Sequence, residues 1–218
     1  MFPIKDHQPS GQFPAITALI ILANVLVFIA QLTAFDPEAF IYQYALIPAS
    51  VDFSNFATLT PFLSSIFLHA GFVHIGSNMW FLAIFGDNIE AALGRIKYLF
   101  FYLTCGAAAG LVQFLFISNE TIPMLGASGA VAGVLGAYWR FFPRHKIDTI
   151  VPIFGFPTII ALPASFMLIY WFFTQLFAGV ATIAAGTAVI GGVAFWAHAG
   201  GFVAGILLSP ILIKIWRF

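Results

Sequence analysis

The sequence predicts an all-α polytopic membrane protein built as a bundle of six transmembrane helices. Three observations carry that prediction: the composition, the length of the apolar runs and the placement of Lys and Arg. Of 218 residues, 61% are hydrophobic and 7% are Asp, Glu, Lys or Arg, and the mean hydropathy is +1.02. A soluble domain carries about 25% charged residues. Eight basic and eight acidic side chains cannot solvate the surface of a 23.7 kDa globule. The composition excludes a soluble enzyme, a disordered chain and a nucleic-acid binder, which needs a basic patch to hold phosphates. Cys105 is the one cysteine, so a disulfide scaffold is excluded too.

Six apolar runs are long enough to cross a bilayer or come close to it: about 15–35, 62–86, 96–117, 127–142, 163–178 and 190–213. They are continuous, whereas a membrane β-barrel shows alternating ten-residue segments. Without water, backbone groups in lipid must pair within the segment, which favours helices. The fifth run is the weakest, with Pro163 as its first helical residue and Gly179 as its expected end. The first run has no clear cleavage site and is interrupted by Asn24 and Gln31, so it is expected to be a retained span and not a signal peptide.

The basic residues order these spans. Lys5 precedes the first. Arg95 and Lys97 lie between the second and third. Arg140, Arg144 and Lys146 lie between the fourth and fifth, and Lys214 and Arg217 follow the sixth. Every Lys and Arg thus falls on one side, and the positive-inside rule makes both termini cytoplasmic. A tail, 1–14, is expected before the first span, and the whole chain, 1–218, reads as one domain without repeats. The connection from Asp36 to Thr60 mixes aromatic and acidic residues and suits an element lying in the membrane interface. The segment from Ile147 to Pro163 holds Pro152, Pro157 and Pro163, which argues against a helix and for an extended stretch at the inner interface.

Polar groups inside a span are costly and default to functional hypotheses. In the second span His74 and Asn78 lie one turn apart on one face, with His69 nearer the outer entry. In the fourth, Gly126-Ala127-Ser128-Gly129 opens the helix, so Ser128 meets the free N–H groups and positive dipole end of a first turn. Gly129, Gly133 and Gly136 flatten one face. In the sixth, His198 precedes Gly201 and Gly205, a close-contact face of small residues. His198 lies about 12 Å below the outer start of its span, at about 1.5 Å per residue. Ser128 and His74 fall in the same outer half. Each residue alone could serve interhelical hydrogen bonding or packing; their convergence at one level points to chemistry.

A serine hydroxyl attacks only when a base takes its proton. His198 is the base candidate on the sixth span, and no carboxylate is placed to orient it as in a triad. Asp87 and Glu90 belong to the inner end, and Asp36, Glu38, Asp52 and Glu120 to outer connections. The expectation is a Ser128–His198 dyad, with His74, Asn78 and the Ser128 backbone N–H as donors to an oxyanion. No H-E-x-x-H or comparable ligand set suggests a metal, and no cofactor is expected.

At these residues the sequence resembles the rhomboid intramembrane serine proteases. The resemblance rests on H-x-x-x-N at His74–Asn78, G-x-S-G at Gly126–Gly129 and H-x-x-G-x-x-x-G at His198–Gly205. It includes Phe85-Gly86-Asp87-Asn88-Ile89-Glu90 with Gly94-Arg95. It implies a six-helix bundle of rhomboid type, with Ser128 as nucleophile, His198 as general base and acid, and His74 with Asn78 stabilising the oxyanion. Gly126, Gly129, Gly201 and Gly205 pack around the site. The implied reaction is peptide-bond hydrolysis in or near the transmembrane segments of membrane-protein substrates within the lipid bilayer. Two departures stand out. Ala132 occupies the position where some members stack a tyrosine on the histidine. The Trp-Arg pair some members carry in the first connection is absent. The family also implies a movable gate at the aromatic fifth span and the uncharged loop Gly179 to Gly192; an aromatic belt facing lipid is the alternative. A compact form in a prokaryotic inner membrane, with the site opening to the outer face, is the expected setting. Two other functions compete: a catalytically inactive client-binding relative, and a small transporter, which would need polar residues through the full depth.

Overall fold

A computed structural model of the chain describes residues 1–185 and 193–214. The Ile190 start of the expected sixth span, the later part of the uncharged loop Gly179 to Gly192, and Arg217 lie outside the described residues. The helices are α1 (Ala15–Thr33), α2 (Pro37–Tyr44), α3 (Pro61–Ser64), α4 (Phe72–Leu93), α5 (Arg95–Ile117), α6 (Ser128–Phe141), α7 (Ala164–Ala184) and α8 (Phe195–Lys214). Four of them, α1, α5, α7 and α8, are long and apolar enough to cross a membrane. The segment Phe56–Phe67 joins α4 as a fifth candidate, bent by 81° at the break. At 14 residues, α6 is about 21 Å long, short of a core about 30 Å thick.

The second span is displaced from its expected limits of about 62–86. Leu68 is extended, Gly71 caps the helix with an extended backbone, and α4 starts at Phe72. At the other end α4 continues to Leu93 because its polar residues find partners there. Asp87 accepts from the Ser10 N–H, Asn88 donates to Asp6, and Glu90 accepts from α1. The fifth span is longer than expected: α7 runs through Gly179, which packs against the Trp196 ring, to Ala184.

The all-α expectation is corrected by a small antiparallel sheet in the order β1-β2-β3, with β1 (Phe2–Asp6), β2 (Lys146–Ile153) and β3 (Phe156–Pro163). The segment from Ile147 to Pro163 is extended, but as a hairpin. Ile153 pairs with Phe156, and the two residues between them, Phe154 and Gly155, both have positive φ (49° and 85°). That backbone matches the twist of a two-residue hairpin. The segment before the first span, 1–14, carries the first of these strands. β1 pairs with β2, the Trp80 indole donates to the Pro3 carbonyl at 2.8 Å, and Asp6 is buried beneath Asn88 and Tyr138. The sheet sets Lys5 opposite Asp148 and His7 against the Lys146 carbonyl, and Lys97 donates to the Leu212 carbonyl near the end of α8 at 3.2 Å. Lys5, Lys146 and Lys97, from three segments, thus lie at one end of the bundle.

An apolar chain has few side chains of its own to cap its helices, and here neighbouring helices supply the caps. Pro14 gives α1 no side-chain cap. Glu90 of α4 accepts instead, Oε1 from the Ile16 N–H at 2.9 Å and Oε2 from the Thr17 N–H at 2.8 Å and its hydroxyl at 2.9 Å. Gln113 of α5 accepts from the Ala197 N–H in the first turn of α8 at 2.9 Å. Each contact satisfies helix-end donors that would otherwise be orphaned.

Helix α6 lies at the centre, with every residue from Gly129 to Tyr138 buried. It meets α8 backbone to backbone. A Cβ on Gly201 would overlap the Gly129 carbonyl, one on Gly205 the Gly133 carbonyl, and one on Gly136 the Phe202 carbonyl. Close approach of this kind maximises dispersion contact where lipid removes the hydrophobic drive between helices. Gly205→Val should therefore destabilise the protein by about 2–3 kcal/mol. Gly76→Ala, at a site with nothing within 4 Å, should change stability by less than about 0.5 kcal/mol. Thermal unfolding of the two variants in detergent checks the contrast, and equal losses would contradict a rigid seam.

Candidate active site

Ser128 is placed by the chain that leads into it. Leu46 and Met124 exchange two backbone hydrogen bonds, at 3.0 and 2.8 Å, and the Gly126 N–H donates to the Ser65 carbonyl at 2.9 Å. These bonds tie the start of α6 to the connection after α1. Gly126 has φ of 128°, and a Cβ there would lie 2.8 Å from His74 Nε2 and 3.8 Å from Ser128 Oγ. The glycine therefore lets the chain pass close against the histidine. Ala127 gives α6 no side-chain cap, so the N–H groups of the first turn stay free of one.

His74 sits in the first turn of α4. Its Nδ1 accepts from the Ala70 N–H at 3.3 Å, so in the neutral ring the proton sits on Nε2, on the side of Gly126. His69, expected nearer the outer entry, is fully buried, with its ring 5.1 Å from that of His74. Gln31 grips its backbone, donating to the carbonyl at 2.8 Å and accepting from the N–H at 3.3 Å. One turn below His74, Asn78 Nδ2 donates to the His74 carbonyl at 3.0 Å, and the Ser77 hydroxyl donates to the same carbonyl at 3.0 Å.

His198 lies one residue beyond Ala197, the residue held by Gln113. Its Nδ1 meets Gln175 Oε1 of α7 at 2.7 Å, and the Trp171 indole stacks on it with centroids 5.9 Å apart and planes at 30°. Ala132 leaves no ring at the position where some rhomboids have tyrosine; the aromatic support comes from α7 instead.

Ser128, His198, His74 and Asn78 all line one cavity of about 620 Å³, together with Ser77, Trp171 and Ala132. Four residues expected to converge from three helices thus share a common space. It lies toward the end of the bundle opposite the basic residues, walled by the first turn of α4, the chain leading into α6 and the start of α8. No Asp or Glu is among its described lining residues. The glycines expected around the site divide in two. Gly129, Gly201 and Gly205 form the α6–α8 seam, and Gly126 makes room for His74. Gln175 and Gln113 were missed by the sequence reading. The available signal was an amide inside an apolar run, which carries the same functional presumption as an intramembrane histidine.

An alanine at 126 must hold a strained backbone and displace the His74 ring. Gly126→Ala should cost about 1–3 kcal/mol and shift the His74 ring resonances in the NMR spectrum, while Gly71→Ala, where nothing lies within 4 Å, should leave them in place.

The profile of the Rhomboid domain matches residues 57–215. The chain is 31% identical over 163 residues to the human presenilin-associated rhomboid-like protein, mitochondrial, covering 71% of this chain and 42% of that protein. It is 32% identical over 157 residues to rhomboid protein 1, mitochondrial, of Saccharomyces cerevisiae, covering 70% of this chain and 41% of that protein. With rhomboid-like protein 11, chloroplastic, of Arabidopsis thaliana it shares 32% identity over 115 residues, 53% of this chain and 38% of that one. The chain spans less than half the length of these relatives. They are named as organellar proteins and lend no support to a prokaryotic inner membrane. The matched region runs from the bend before α4 to the end of α8 and contains every residue of the cavity named above; the chain is a multi-pass membrane protein that belongs to the rhomboid family.

Proposed function

We propose that this chain is an intramembrane serine endopeptidase that hydrolyses peptide bonds in or near the transmembrane segments of other membrane proteins. The observation that carries this reading is the shared cavity. It holds one hydroxyl in a helix first turn and one histidine whose Nδ1 is engaged elsewhere, with a second histidine and an asparagine beside them.

In this mechanism Ser128 Oγ attacks the scissile carbonyl carbon while His198 Nε2 takes its proton. The negative charge that develops on the carbonyl oxygen is met by the His74 Nε2–H, the Asn78 amide and the free N–H groups of the first turn of α6. Collapse of the tetrahedral intermediate expels the amine, which receives the proton from His198 and leaves an acyl-Ser128 enzyme. Water, activated by the same histidine, then attacks the ester and regenerates the serine. Ser77, His74 and Asn78 give the cavity a polar wall able to hold that water. The positive-inside rule puts the basic end of the bundle in the cytoplasm-like compartment, so the cavity opens toward the opposite face. Substrate enters past α7, whose exposed Phe166, Tyr170, Phe173 and Phe177 face the surroundings of the bundle.

A fluorophosphonate serine probe tests this reading. Purified protein in liposomes should label, and both Ser128→Ala and His198→Ala should abolish labelling and cleavage of a co-reconstituted membrane substrate. His74→Ala and Asn78→Ala should each lower kcat, by on the order of 10²-fold. Cleavage that survives Ser128→Ala would overturn the mechanism. A correctly folded protein that binds membrane clients without labelling or cutting them would favour the inactive relative.

A further inference from the structure

We infer that Gln175 is a positioning residue for His198: its amide oxygen holds the proton on Nδ1 and so presents Nε2 as the base. The inference rests on the protease reading for its catalytic meaning, but its geometric core stands on hydrogen bonds alone. Gln175 lies on α7, and His198 on α8. Gln175 Oε1 and His198 Nδ1 are 2.7 Å apart.

The orientation of the glutamine amide is decided by its other end. Gln175 Nε2 donates to the Trp171 carbonyl at 3.3 Å and to the Thr174 hydroxyl oxygen at 3.1 Å. The Thr174 hydroxyl itself donates to the Trp171 carbonyl at 2.6 Å, leaving its oxygen free to accept. A flipped amide would set its oxygen against the Trp171 carbonyl, two acceptors facing each other. The NH2 group therefore faces its own helix and the oxygen faces His198. Because an amide oxygen only accepts, Nδ1 must donate, and in the neutral ring Nε2 is then unprotonated.

This is the task a buried carboxylate performs in a Ser-His-Asp triad, fixing tautomer and ring orientation. Here a neutral group does it, without the cost of burying a charge in an apolar bundle. Trp171, one turn before Gln175 on the same face, adds the stacking surface, so a single helix supplies both supports of the ring. The base is consequently oriented only while α7 lies against α8.

Histidine-selective 15N NMR of the detergent-solubilised protein reads the tautomer directly, with His198→Ala assigning the signal. The wild type should show His198 protonated at Nδ1. Gln175→Ala should lose that preference, and Gln175→Glu, which keeps an acceptor oxygen, should retain it. In kinetics Gln175→Ala should lower kcat by about 10–100-fold with KM changed less than threefold, and Gln175→Glu should recover most of the loss. A wild-type ring protonated at Nε2, or a Gln175→Ala variant with unchanged tautomer and kcat, would overturn the inference. The NMR arm reports even if the protein proves to have no hydrolase activity. Failure of the protease reading shows separately, as the absence of Ser128-dependent probe labelling in wild type.

Discussion

The backbone contact between α6 and α8 is the constraint from which the cavity follows. Ser128 and His198 are 70 positions apart in sequence and sit on different helices. They line the same space because Gly129 and Gly133 of α6 lie directly against Gly201 and Gly205 of α8. No side chain intervenes at these points, so no rotamer change can absorb a shift in spacing or rotation. Interiors packed at crystal-like density transmit displacement instead of damping it. On its other side α6 is equally intolerant: a Cβ on Gly129 would strike Ala109, and one on Gly133 would strike Cys105. The central helix is held between α5 and α8 by the near-absence of side chains.

Around that seam, polar residues in the apolar helices act as fasteners between elements. Glu90 caps α1, Gln113 caps α8, Gln31 clasps the backbone at His69, and Gln175 reaches His198. A soluble protein often caps a helix from the residue just before it. Here the neighbouring residues, Pro14 before α1 and Ala194 before α8, have no polar side chain to offer. A single amide or carboxylate from an adjacent helix satisfies the exposed N–H groups and fixes the helix pair at the same time.

What the sequence made legible follows from this division. The seam could be read directly, since glycines at three- and four-residue intervals on two helices announce a close face. Ser128, His198, His74 and Asn78 could be read because each is a polar residue in a setting that penalises it, and the structure does bring all four to one cavity. The sheet was hidden. Its first strand is only five residues long, before α1, and the other two lie in a largely apolar stretch between α6 and α7, so composition could not separate them from an extended connection, and the Phe154-Gly155 turn was the sole local sign of a hairpin. The true limits of α4 were hidden for a related reason. Asp87, Asn88 and Glu90 look like the exit from a membrane until their partners in the N-terminal segment and the first turn of α1 are known. Cross-helix supports such as Gln175 depend on which helix stands opposite, and that is settled by tertiary packing.

The anchoring of Asp6 has a consequence for how the protein is made. Its partners Asn88 and Tyr138 lie 82 and 132 residues later in the chain, and β1, Asp6 included, pairs with Ile147 to Ile150. During synthesis the first strand therefore emerges early and waits for most of the chain before its sheet can close. Closure also secures the far end of α6, the helix that begins at Ser128. A nascent or truncated chain ending before Lys146 has the serine but not the strand that completes its anchorage. Assembly of the site is thus tied to the arrival of the later half of the polypeptide, an order of events built into the connectivity of the fold.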